Sequence, residues 1–239
     1  MADYDNKKVK IFSHDIKLLS SVSVPDRPWD IAVISEREAV VTTGYNSLVI
    51  LDISSSQLSI KTTTQLPYEV WGISRYNNKL VVTSPYSKPP SVKLIDQTGR
   101  VYWSVSSDQQ GRPLFSWPKY VSSPGDGRSC SVIVTDQGNN TLTLLNGDTG
   151  EVITRRQLKQ GKYPRGVTTD TDGNVYVCYY WTSEVAVLSG DLLEEKILLS
   201  KLSGPPQAIV YDDTTHLLTV SYCLSSLIGY DKVDQFKLS

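Results

Sequence analysis

Asp170-Thr171-Asp172-Gly173-Asn174 carries four oxygen-bearing side chains around a glycine, the raw material of a calcium loop. Counted from Asp170, the glycine stands fourth and Trp181 occupies position twelve. An EF-type loop needs Gly at the sixth position and a bidentate Glu at the twelfth, so the stretch reads instead as a hairpin turn. Equivalent places in the chain hold "SERE" (35–38), "YNNK" (76–79), "GDGR" (125–128) and "DDTTH" (212–216). Asp-Gly and Asn-Asn supply the left-handed backbone that a tight hairpin requires. Asn139-Asn140-Thr141 fits the glycosylation pattern and is read here as another turn.

Other metal and nucleophile chemistry has little to work with. His14 and His216 are the only histidines, too few for a zinc site or a Ser-His-Asp triad with comfortable geometry. Cys130, Cys178 and Cys223 lie in or beside apolar runs with no C-x-x-C pair. They are expected to be small buried hydrophobes of a reducing compartment. No cofactor is expected.

A set of aromatic and basic residues, with one glutamine, is left: Arg27, Trp29, Tyr68, Trp71, Trp117, Lys119, Lys162, Tyr163, Arg165, Tyr180, Trp181 and Gln207. Aromatic rings anchor peptide side chains or stack on bases, while Lys and Arg hold carboxylates or phosphates. Such a mixture suits a recognition surface, and whether it forms one depends on the elements that carry it.

Those elements are strands. Runs such as "IAVI", "LVILDI", "KLVVTS", "SVIVTD", "NVYVCYY" and "LLTVSY" are apolar or alternating over four to seven residues and are bounded by Gly, Asn, Asp and Pro. A turn followed by Val or Leu recurs at Val9, Leu48, Val92, Leu142, Val185 and Leu227, in steps of 39, 44, 50, 43 and 42 residues. A period in the low forties with four short strands per unit predicts an all-β fold, a β-propeller of four-stranded blades.

A second marker opens five of the units: "RPWDI", "YEVWGI", "WPKYV", "YPRGV" and "PPQAI". Aligning them puts Trp29, Trp71, Lys119, Arg165 and Gln207 at one equivalent position, at the start of each innermost strand. Loops entering the innermost strands and loops between second and third strands are expected to share one face. Tyr45, Asn46, Tyr86, Lys88, Asn139 and Asn140 belong to the second set.

Six third-strand markers against five openings predict that the chain begins inside a blade, whose first two strands are not present. Six blades with one incomplete or degenerate are expected, the alternative being five blades closed by clasp strands. The strand clusters fall at roughly 7–24, 29–66, 70–105, 118–159, 164–202 and 206–238, within a single domain spanning 1–239. The abrupt start makes a fragment of a longer protein an expectation.

"YPRGVTTDTDGNVYVCYYWTSEVAVLSGD" resembles the NHL repeat, with weaker likeness at 27–52, 66–96, 118–145 and 205–231. Divergent propellers of this kind occur at the C-terminus of tripartite-motif (TRIM) ubiquitin ligases. The resemblance implies a non-catalytic domain that binds a protein partner or ubiquitination substrate, or single-stranded RNA, and a parent protein that is oligomeric through an upstream coiled coil. Three cysteines and two histidines cannot build a RING. In RNA-binding members the equivalent position is often basic; Lys119 and Arg165 match this, whereas Trp29, Trp71 and Gln207 do not. Tyr179-Tyr180 replaces the aspartate that often ends the second strand.

An enzyme alternative is a metal-dependent lactonase-like hydrolase on a six-bladed propeller, with carboxylates converging on a divalent ion. Only Asp30 and Glu69 lie near the inner-strand starts. A formal charge of −1 argues against a generally nucleic-acid-coating surface. The N-terminus lacks a signal-like apolar core and no run approaches the length of a membrane span, so a cytoplasmic protein without membrane contact is expected.

Overall fold

The computed structural model describes residues 1–13, 15–53, 57–124, 130–222 and 232–238. The fold is all-β, and its antiparallel sheets are the six blades of a β-propeller. The chain divides into two compact units, Met1–Val105 and Ser106–Ser239.

The first unit holds three sheets. One pairs β1 (Ala2–Asp3), β2 (Lys8–Phe12) and β3 (Leu18–Ser23). The next runs β4 (Pro28–Ser35), β5 (Glu38–Thr43), β6 (Ser47–Asp52) and β7 (Ser59–Gln65). The third runs β8 (Ile73–Tyr76), β9 (Lys79–Ser84), β10 (Ser91–Ile95) and β11 (Val101–Val105). The second unit repeats the plan. Its sheets are β12 (Pro118–Ser122), β13 (Ser131–Asp136), β14 (Thr141–Asn146) and β15 (Val152–Gln157); β16 (Pro164–Thr169), β17 (Val175–Tyr179), β18 (Glu184–Leu188) and β19 (Glu195–Leu199); and β20 (Pro206–Asp212), β21 (Leu217–Tyr222) and β22 (Lys232–Lys237).

Strand composition follows from burial. Second and third strands such as β5 (EAVVTT), β6 (SLVILD), β9 and β10 are covered on both faces and are buried almost throughout. A strand covered twice has no polar side to alternate with, hence the near-continuous apolar runs. Outermost strands such as β7 (SIKTTTQ) and β15 (VITRRQ) are exposed along much of their length. Their Lys, Arg and Thr side chains discourage pairing of the open edge with another chain. The markers Val9, Leu48, Val92, Leu142 and Val185 all lie on third strands at 0–1% exposure, packed in the blade cores, while Leu227 is outside the described residues.

Two expectations need correction. The second strand of the first blade is present as β1, whose two residues pair with Val9 and Lys8 of β2. It is short because "YDNK" must turn the chain at once. Cys130 is exposed, at the start of β13 rather than within it, whereas Cys178 inside β17 is fully buried. Cys223 and His14 lie outside the described residues.

The hairpin reading of Asp170–Asn174 holds. Asp170 is buried, and its carboxylate accepts from Asn174 N (2.8 Å), Asn174 Nδ2 (2.8 Å) and the Tyr176 hydroxyl (3.0 Å). Gly173 has φ +86° and Asn77, in the matching turn of β8–β9, has φ +53°, so both turns use left-handed backbone. "GDGR" lies outside the described residues.

Candidate functional site

Four inner strands, β4, β12, β16 and β20, begin with a bulge, and the bulge places the side chain that defines the candidate site. In β4–β5, Pro28 pairs with Thr43 and Asp30 with Thr42, leaving Trp29 unpaired between them. Lys119 is left over in the same way between Pro118 and Tyr120, and Gln207 between Pro206 and Ala208. In β16, Arg165 and Gly166 together face the single residue between Val177 and Tyr179. Proline suits the first position because it has no N–H to leave unpaired. An extra residue re-aims its side chain out of the alternating pattern of the strand.

Second-strand hydroxyls take up backbone groups at these bulges. Thr42 Oγ1 donates to Trp71 O (2.5 Å) and accepts from Asp30 N (3.2 Å); Gly72 N donates to Thr83 Oγ1 (2.8 Å). Thr135 Oγ1 donates to Tyr120 O (3.4 Å). At the matching place in β17 stands Cys178, whose thiol is pushed up by burial, with the Arg165 charge opposing. It is a packing residue rather than a nucleophile.

In the first unit the residues at the equivalent opening positions, Trp29 and Trp71, form an aromatic stack. Trp29 and Trp71 lie 3.8 Å apart at 19°. Tyr4 tilts against Trp29 at 4.7 Å, and Arg27 sits 5.0 Å from the Tyr4 ring with Nη1 donating to its hydroxyl at 3.2 Å. Beyond Trp71, Tyr86 meets it edge-on at 5.3 Å, and Tyr45 meets Tyr86 at 6.4 Å. Trp29 Nε1 donates to Gly44 O. Tyr45 O accepts from Val70 N (2.8 Å), tying the second-to-third-strand loop to the loop entering β8. The two loop sets therefore do share a face in this unit.

Charged groups lie beneath the stack. Asp30 accepts from Ile31 N (2.9 Å) and Ile73 N (3.0 Å), joining β4 to β8, and burial pushes its carboxyl up to about 7. Lys93 is buried, donates to Ser91 Oγ (2.5 Å) and Ser84 Oγ (3.0 Å), and is pulled down to about 8 by desolvation, with Glu69 opposing. Burial raises Glu69, with Lys93 opposing. Tyr68 donates to Gly99 O (2.6 Å) and packs against the core, so it serves the fold more than the open face.

In the second unit the equivalent positions are polar and hydrogen-bonded to one another. Arg165 Nη1 donates to Gln207 Oε1, and Gln207 Nε2 donates to the Tyr120 hydroxyl (2.9 Å). The Arg165 guanidinium also stacks 3.7 Å from the Tyr180 ring. Lys162 pairs with Glu184 at 2.6 Å and lies 4.7 Å from the Tyr179 ring. Lys119 stands 5.8 Å from the Trp117 ring and 5.9 Å from Tyr120. Trp181 is 64% exposed and makes edge contacts with Tyr163 (5.8 Å) and Tyr180 (5.2 Å). Tyr163, at φ +50°, is held by its N–H to Asn140 Oδ1 (3.0 Å), and its carbonyl accepts from Tyr180 N (3.1 Å).

One anchoring residue escaped the sequence reading. Asp136, fully buried at the end of β13, accepts from Ser116 N (2.8 Å), Trp117 N (2.8 Å), Gly138 N (3.0 Å), Asn139 N (3.2 Å) and Asn139 Nδ2 (3.0 Å). It fixes both loops that border Trp117. Its signal was an aspartate ending a second strand, the position that Tyr179-Tyr180 occupies in the best-matching blade.

Among the described residues no group of three or more His, Cys, Asp or Glu is arranged to hold a metal. A cavity of about 310 Å³ lined by Ile34, Glu38, Arg75 and Lys79 opens at the hairpin ends of β4 and β8, away from the aromatic loops. No helix of the described residues is long and apolar enough to cross a membrane.

No family model and no curated protein matches the chain. Solved structures do. A protein of unknown function from Bacteroides caccae superimposes with a TM-score of 0.70 at 9% identity, covering 97% of this chain and 86% of that one. A functionally unknown protein from Desulfotomaculum acetoxidans DSM 771 superimposes with a TM-score of 0.64 at 14% identity, covering 99% of this chain and 78% of that one. At these identities the likeness establishes the propeller fold alone.

Proposed function

We propose that the chain is a non-catalytic recognition module that binds a protein partner through its aromatic loops. The observation that carries this reading is the Tyr163–Trp181–Tyr180 corner, where the largest side chain is the most exposed of the three while its neighbours are tied to the fold. A rigid, half-propped indole in solvent is the kind of anchor that dominates protein interfaces. The basic residues beside it are engaged internally, Arg165 with Gln207 and Tyr180 and Lys162 with Glu184, which disfavours a phosphate track. The resemblance to NHL repeats supports the same role, delivery of a substrate to a TRIM-type ubiquitin ligase.

Selection of a random peptide library on the immobilised chain tests the reading. Enriched peptides are expected to bind about tenfold or more weakly to Trp181→Ala at unchanged melting temperature. If no peptide is enriched and randomised single-stranded RNA instead binds with a steep salt dependence that Lys119→Glu/Arg165→Glu abolishes, the RNA reading replaces it.

A further inference from the structure

The charges around the exposed Trp181 corner narrow the chemistry of the segment that docks there, an inference that rests on the partner reading above. Two neighbouring segments are hydrogen-bonded to the corner. Tyr163 N donates to Asn140 Oδ1 (3.0 Å) and Asn140 Nδ2 donates to Lys159 O (2.9 Å), which sets Lys159 one side-chain amide away from Tyr163. Leu202 N donates to Ser183 O (3.3 Å), which lays Lys201 beside the turn that carries Trp181.

Charge in this neighbourhood does not balance. Its carboxylates among the described residues are already matched: Glu184 with Lys162 at 2.6 Å, and Asp234, which accepts from Ser203 Oγ (3.4 Å) close to Lys201, with Lys232 at 3.0 Å. Lys159 and Lys201 are exposed and, among the described residues, in no ion pair. The excess is therefore two positive charges, one reached from Tyr163 and one from Ser183, with a 64% exposed indole between those points in the chain. Charges at the rim of an apolar anchor select partners and speed encounter more than they tighten the complex. The rings do not suit a run of stacked bases, since Tyr163 and Tyr180 stand at 79° and 83° to Trp181 and offer no series of parallel faces.

We infer that the Trp181 corner takes an acidic peptide segment, one whose apolar side chain packs on the indole while flanking carboxylates meet Lys159 and Lys201. The indole supplies the anchor and the two ammonium groups supply the selectivity.

The test measures binding of the whole chain to three synthetic peptide pools. All share three central positions randomised among Leu, Phe, Pro, Trp and Tyr, and they differ only in the two residues on each side, which are Glu, Ser or Lys. At about 50 mM salt the Glu pool is expected to bind about three- to tenfold more tightly than the Ser pool, with the Lys pool weakest, and the margin is expected to vanish at about 0.5 M salt. Lys159→Glu/Lys201→Glu is expected to reverse the order at unchanged melting temperature, and Lys159→Gln/Lys201→Gln to level it. Equal binding of the Glu and Ser pools, both weakened by Trp181→Ala, overturns the acidic assignment and leaves the partner reading standing. Absence of binding by every pool, or binding indifferent to Trp181→Ala, overturns both. Randomised single-stranded RNA that binds the wild-type chain more tightly than the Glu pool does, and fails to bind Lys159→Glu/Lys201→Glu, overturns the assignment in favour of a nucleic acid.

Discussion

Trp29 and Trp71 occupy equivalent positions in the openings of successive blades and stack face to face, 3.8 Å between centroids with 19° between planes. The repeat itself thus brings its equivalent residues into contact. Arg165 and Gln207, 42 residues apart, do the same in the second unit, as do Thr171 and Asp213.

Because Trp71 is buried and Trp181 is exposed, the same substitution should have opposite consequences at the two sites. Trp71→Ala is expected to lower unfolding free energy by about 3–5 kcal/mol, through lost burial and the cavity left behind. Trp181→Ala should stay within about 0.5 kcal/mol of wild type. Urea denaturation of both variants checks the contrast.

Asp30 makes stability depend on pH. Its folded carboxyl, raised to about 7 by burial, lies above its ordinary value of 3.8. Between those values the unfolded chain has released a proton that the fold retains, so the contribution of this group falls by about 1.4 kcal/mol per pH unit as pH rises. Above pH 7 the loss is complete. Asp30→Asn should flatten this slope while costing about 1–3 kcal/mol below pH 4, since an amide offers one acceptor oxygen for the two N–H groups of Ile31 and Ile73. Unfolding free energies of both proteins from pH 3 to pH 8 decide it.

Gly166 has no room for a side chain. A Cβ there would lie 2.6 Å from Ala208 Cα and 2.9 Å from Gln207 O, both backbone atoms of the neighbouring inner strand. Gly166→Ala should therefore force β16 and β20 apart and cost about 1–3 kcal/mol, read as a lower melting temperature. Gly173→Ala, in the open turn, should lose only about 1 kcal/mol through its φ of +86°.

Removing the Asp136 carboxylate takes the acceptor from the part-buried N–H donors of Ser116 and Trp117. Asp136→Ala is expected to cost about 3 kcal/mol or more. Hydrogen exchange should accelerate at 116–117 and 138–139 while β17 keeps its protection, which separates loss of the loop clamp from global unfolding.

Much of this was written in the residues. The third-strand valines and leucines are core because a strand covered on both faces must be apolar throughout, and that pattern survives translation into one dimension. The Asp170–Asn174 turn was legible for a similar reason, since left-handed backbone selects Gly and Asn locally. The equivalence of Trp29, Trp71, Lys119, Arg165 and Gln207 also followed from the repeat alone.

What the chain order did not reveal was how those five positions are used. Nothing in "RPWDI" or "YPRGV" announces a bulge, because a bulge exists only relative to the partner strand it faces. Whether a lysine or arginine is available to a ligand likewise depends on residues distant in sequence: Arg165 is engaged by Gln207, and Lys162 by Glu184. Sequence periodicity determined the blades and their cores, which are short-range consequences of burial and turn geometry. The aromatic stack, the paired basic residues and the buried carboxylates were decided by tertiary structure, because each depends on which neighbour the next blade supplies.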